Sequence, residues 1–141
     1  MPVTYTIDAE EKVIRTSCTN PLTLPDVLDH FRALREDPEF FGSLDVLLNV
    51  SEVDALPERT QLGAVITDLG TVVKKASFGA CAIVASRDAM FGMMRVFEVF
   101  AGRYFRAICV FRELAEAEQW LLAQKRAYEP RPHHASGAVE A

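Results

Sequence analysis

From Phe78 to Ala85 the chain is a continuous run of small and branched apolar residues, with Gly79, Ala80, Ala82 and Ala85 among them. A strand buried on one face alternates apolar and polar positions, whereas a strand buried on both faces does not. The run therefore predicts a central strand, and its small side chains allow helices to approach the sheet closely. Ser86-Arg87-Asp88 follows, with Ser86 or Asp88 available to cap a helix that runs from Ala89 to Ala101. At about 100° per residue, Met90, Met93, Met94, Val96, Phe97, Phe100 and Ala101 fall on one broad arc. Phe91 and Val99 fall outside it, on the side that carries Arg95 and Glu98. A half-buried helix has a cleaner polar face than this. The helix is thus expected to be covered on two sides or to offer apolar surface to a second molecule.

Elsewhere the periods are simpler. Val3, Tyr5 and Ile7 alternate with Thr4, Thr6 and Asp8, and Val13 to Thr19 gives a second short strand, so the chain opens with a β-hairpin. Thr23-Leu24-Pro25-Asp26 has the form of a capping box, ahead of a helix to Glu36 with Leu24, Val27, Leu28, Phe31 and Leu34 as its dry stripe. His30 lies off that stripe and is read as a solvated surface residue. Phe40 and Phe41 sit in a loop expected to lid the core edge, and Leu44 to Val50 is a second continuously apolar strand. A helix is predicted from Pro57 with Leu62, Val65, Ile66, Leu69, Val72 and Val73 at core spacing. Gly63 and Gly70 are placed where it packs on the sheet. Tyr104 to Phe111 reads as the last strand, and Glu113 to Arg126 as the last helix, with Leu114, Ala117, Trp120 and Leu121 inward.

The predicted fold is α/β: a mixed, mostly parallel five-stranded sheet opened by a β-hairpin, in the order β-β-α-β-α-β-α-β-α, with right-handed crossovers. Residues 1–128 form a single domain, and 129–141, which include His133-His134, read as a mobile C-terminal tail.

Composition narrows the function. A net charge of −5 with scattered Lys and Arg argues against nucleic acid as a partner. No run reaches the roughly 20 apolar residues of a membrane span, and the N-terminus lacks a signal-peptide pattern, so a cytoplasmic protein is expected without integral membrane association. Cys18, Cys81 and Cys109 are widely spaced and read as small buried hydrophobes. No metal-ligand spacing, phosphate loop or nucleophile elbow is present, so neither cofactor nor metal is expected and the chain reads as a non-enzyme.

Leu47-Leu48-Asn49-Val50-Ser51-Glu52-Val53, the hairpin opening, the helix count and the segment Phe91-Gly92 to Arg95-Val96-Phe97-Glu98 resemble the STAS/SEC14-like (SpoIIAA-like) superfamily of small bacterial proteins. The resemblance covers about Thr4 to Leu122 and rests on apolar patterns. It implies a regulatory or interaction module. In the antagonists of that superfamily a phosphorylatable serine opens the helix after this strand. Here the segment is Asp54-Ala55-Leu56-Pro57-Glu58-Arg59-Thr60, and Asn49 replaces the usual Asp. A phosphorylation switch of that kind is not expected.

Two binding readings follow. In the first, Phe91, Met94, Arg95, Glu98 and Val99 form a surface that docks a protein partner or a second copy, giving a homodimer. In the second, the Met- and Phe-lined helix and the sheet hold a small apolar ligand or lipid tail. Asn49 and Asp88 are the cleft candidates at the carboxyl ends of the strands, where open α/β sheets bind ligands. With Arg95 and Glu98, Asp88 also supplies the only group that an enzymatic reading would use.

Overall fold

A computed structural model describes residues 2–54 and 61–128. The hairpin pairs β1 (Val3–Asp8) antiparallel with β2 (Val13–Thr19). Its turn is held by Asp8, whose Oδ1 accepts from the Glu10 and Glu11 amides, and by Lys12, which adopts a left-handed φ of 58° and donates its amide to Asp8 O. Then follow α1 (Leu24–Glu36), β3 (Ser43–Glu52), α2 (Leu62–Val72), β4 (Ser77–Val84), α3 (Asp88–Ala101), β5 (Ala107–Phe111) and α4 (Leu114–Tyr128). The sheet order is sequential, β1-β2-β3-β4-β5, and β2 to β5 are all parallel.

Sequential parallel order has a geometric consequence. Right-handed crossovers that always step in one direction place every crossover helix on the same face. The packing follows this rule, with α1, α2 and α3 joined in one apolar core on one side of the sheet. The other face has a smaller core in which Ala117 and Leu121 of α4 meet Val13, Leu47, Ala80, Ala82 and Val84. β4 is thus covered on both sides, and every residue from Phe78 to Val84 is buried.

Local signals explain the element ends. Thr23 and Asp26 form the reciprocal capping box, with Asp26 Oδ2 accepting from the Thr23 amide at 3.0 Å. At α3 neither expected cap is used: Arg87 is the cap residue and makes no side-chain cap bond, while Asp88 stands in the first turn. The last strand begins at Ala107, because Gly102–Tyr104 forms a 3₁₀ turn instead. Leu114 is exposed, and Ala117 and Leu121 alone are the buried residues of α4. Phe40 is buried but Phe41 points to solvent. The predicted start at Pro57 and the tail 129–141 lie outside the described residues.

The α2 glycines do not meet the sheet. Gly63 has open space around it and Gly70 faces the Tyr104 hydroxyl. The glycine that the sheet requires is Gly79. A Cβ there would collide with Asp45 Oδ1 and crowd the Arg106 guanidinium. Asp45 Oδ1 accepts from the Ala80 amide at 2.9 Å, at the point where the β3–β4 register shifts. Gly79→Ala is expected to cost about 1–2 kcal/mol by displacing that carboxylate from its bond. In an Asp45→Ala background most of the cost should vanish, and urea denaturation of the two single variants and the double variant checks the coupling.

Candidate functional site

The cover formed by α1, α2 and α3 does not fill the space above the sheet. An apolar cavity of about 110 Å³ remains. Its floor comes from Ile14, Thr16 and Cys18 of β2, Val46, Leu48 and Val50 of β3, and Cys81 of β4. Leu62, Val65 and Leu69 of α2 and Met90, Met94 and Phe97 of α3 close it from above. α1 adds Val27, Phe31 and Leu34, and one residue of a different kind, His30.

His30 corrects the sequence reading. It is not a solvated side chain but part of the cavity wall, mostly covered, with its ring edge against Tyr5 (centroids 5.2 Å) and beside Phe31 (5.8 Å). Nδ1 is shielded from solvent and has no hydrogen-bond partner among the described residues. The groups that could have served it are committed elsewhere. The Tyr5 hydroxyl donates to Asp37 Oδ2 at 2.7 Å, and Asp26, one turn before His30, is held by Thr23. Burial holds the imidazole neutral, lowering its pKa from an ordinary 6.5 to about 4. Burial, with the bond to Asp37, pushes the Tyr5 hydroxyl up to about 12.

The thiols in the wall are not poised for chemistry. Burial raises Cys18 to about 11 and raises Cys81 further, with the nearby Asp45 charge acting in the same direction. Both stay protonated at neutral pH, when a nucleophile would have to be thiolate. Among the described residues no group of three His, Cys, Asp or Glu side chains could hold a metal ion, and no helix is long and apolar enough to cross a membrane.

The predicted surface on α3 divides. Met94 is 4% exposed and belongs to the cavity wall, not to an outer face. Phe91 is half-buried, and the Arg112 guanidinium covers its ring at 4.2 Å. Arg95 and half-buried Glu98 approach to 3.1 Å along the helix. Val99 is 75% exposed, and Phe100, expected on the dry arc, is 61% exposed beside it. The buried residues Met90, Met94, Phe97 and Ala101 make a single narrow stripe, so the arc is slimmer than the pattern suggested.

The cleft candidates are not joined to each other by a hydrogen bond. Asn49 Oδ1 accepts from the Ser51 amide (2.9 Å) and hydroxyl (2.6 Å), so its carboxamide is used in a local turn. Asp88 is exposed and pairs with Arg112 at 2.6 Å, while Arg87 pairs with Asp54. This polar rim is built of exposed ion pairs, which contribute little individually. No protein-family model matches the chain, and no curated protein is similar to it.

The buried imidazole sets a pH dependence. Below pH 6.5 the unfolded chain binds a proton at His30 that the folded chain, with its pKa near 4, refuses. The stabilisation is therefore complete above pH 6.5 and is lost as pH falls towards 4, with a slope approaching about 1.4 kcal/mol per pH unit. Urea denaturation between pH 7 and 4.5 should show this slope, and His30→Phe should flatten it.

Proposed function

We propose that the chain is a non-catalytic binding module of the STAS/SEC14-like kind, and that it holds a small apolar molecule between its three-helix cover and the sheet. The observation that carries this reading is the unfilled apolar cavity itself. An empty space of 110 Å³ costs on the order of 2–3 kcal/mol relative to a filled one. A ligand that enters recovers that energy through dispersion contacts with side chains already in place.

Size selects among apolar ligands. Cavities of about 150 Å³ take benzene, so this one suits a molecule of that size or smaller, and a long acyl chain would exceed it. Toluene and benzene are the first probes. Thermal unfolding in their presence should show a saturable rise in Tm, and ligand-observed NMR should show saturation transfer. No shift and no transfer up to the solubility limit would remove the reading.

A second reading, self-association through α3, is favoured by Val99 and Phe100, two neighbouring large apolar residues left open to solvent. Sedimentation equilibrium should then give a dimer that Val99→Glu with Phe100→Glu converts to monomer. A monomer for the unsubstituted chain at high concentration excludes this reading and leaves the cavity reading intact.

A further inference from the structure

We infer that α3 is the contact helix of a twofold dimer, in which the α3 helices of two copies lie antiparallel and cross between Arg95 and Val96. This rests on the self-association reading above and assigns the register of the contact. The outer face of α3 is complementary to its own reverse, both in shape and in charge.

Shape gives the first observation. At 100° per residue, Asp88, Gly92, Arg95 and Val99 fall within about 40° of the direction opposite buried Met90. The 3₁₀ turn after the helix extends this line to Arg103, and all five residues are open to solvent. Val99, 75% exposed, is a knob on the line. Two turns before it stands Gly92, where an added Cβ would meet no atom within 4 Å. Glycine is a poor helix former, and nothing inside the subunit requires one here. The notch it leaves accepts Val99 of a second copy when the two helices run antiparallel. Phe100, 61% exposed next to Val99, widens the apolar contact.

Charge gives the second observation, and it selects the same register. The midpoint of Gly92 and Val99 lies between residues 95 and 96, and so does the midpoint of Asp88 and Arg103. A single twofold axis therefore sets each knob over a notch and, beyond them, each Asp88 opposite the other copy's Arg103. A parallel pairing would set knob on knob and like charge on like charge. Both charges are available. The Asp88 side chain is 92% exposed even with Arg112 at 2.6 Å. Arg103 stacks over Tyr104 and makes no ion pair among the described residues. Beside the axis, Arg95 is balanced within its own subunit by Glu98 at 3.1 Å. Opposite charges at the two rims fix the direction of docking.

Sedimentation equilibrium on the unsubstituted chain and on Gly92→Gln reads the notch. In the single subunit the variant places a better helix former in open space, so its urea midpoint should rise. Its dimer dissociation constant should increase about tenfold, because glutamine occupies the space that Val99 enters. Charge reversal reads the direction. Asp88→Arg alone and Arg103→Asp alone should each weaken the dimer about fivefold, and the two together should restore it. Suppose the dimer is dissociated by Val99→Glu with Phe100→Glu, yet Gly92→Gln or the single reversals leave it unchanged, or the double reversal fails to restore it. The antiparallel crossing is then wrong and self-association through α3 stands. A chain that is monomeric at every concentration, or still dimeric with both glutamates, removes the self-association reading and the crossing with it.

Discussion

The arrangement follows from one requirement: β4 is apolar on both of its faces and must be covered twice. Its Ala80, Ala82 and Val84 side chains are satisfied by α4, and Cys81 and Ile83 by the helices opposite. The sequential strand order makes the two covers unequal, since all three crossover helices lie on one side and α4 alone serves the other. α4 answers with small and close contacts, Ala117 against alanines of β4. The three-helix side has more area to roof and three separate ridges with which to do it. Ridges of neighbouring helices cannot all seat in one another's grooves at the same crossing angle. A gap between them is the natural place for unfilled volume.

The side chains facing that gap enlarge it. Cys18, Val50, Val65 and Cys81 are small for central positions, and the larger residues around them, Leu34, Leu69 and Phe97, stand at the helix stripes. On α1 the wall includes an imidazole beside Leu34. Its ring contacts Tyr5, whose hydroxyl is drawn outward to Asp37; Asp37 itself is held in its charged form first by the Glu39 amide and then by Tyr5. The local polar network is therefore complete without His30 and leaves its Nδ1 with no partner among the described residues.

Much of this architecture is legible in the sequence, because it depends on period. The alternation in Val3 to Asp8, the unbroken run from Phe78 and the Thr23–Asp26 capping box each state a local preference that the packing keeps. The site is less legible, because a cavity is a property of several elements at once and no single stripe encodes it. Met94 belongs to the inner wall, as its place on the apolar arc implies and against its place in the docking surface, and Phe100 is exposed although the same arc placed it inside. Both reflect how far α2 and the sheet reach around α3, which α3's own sequence does not contain. His30 did carry a signal. Four residues before Leu34 on a helix, it lies only about 40° from that buried side chain, close enough to be drawn under cover. Its polarity argued for solvent, and the packing of α1 on β1 prevailed.

Whether the cavity is a defect or a site turns on whether its two costs share a remedy. The empty volume stands at about 2–3 kcal/mol, and an unsatisfied buried nitrogen adds about 1–3 kcal/mol. Together they are a large share of the 5–15 kcal/mol that holds a typical domain folded. A larger aliphatic residue in place of His30 would reduce both at once, without disturbing the capping box or the Tyr5–Asp37 bond. Gln61 Oε1 and Glu98 Oε1 are also buried without a hydrogen-bond partner among the described residues, but of the three residues only His30 belongs to the cavity wall, and a departure from local consistency there marks a constraint other than folding. Filling the volume from outside recovers its cost through dispersion contacts with side chains already in place.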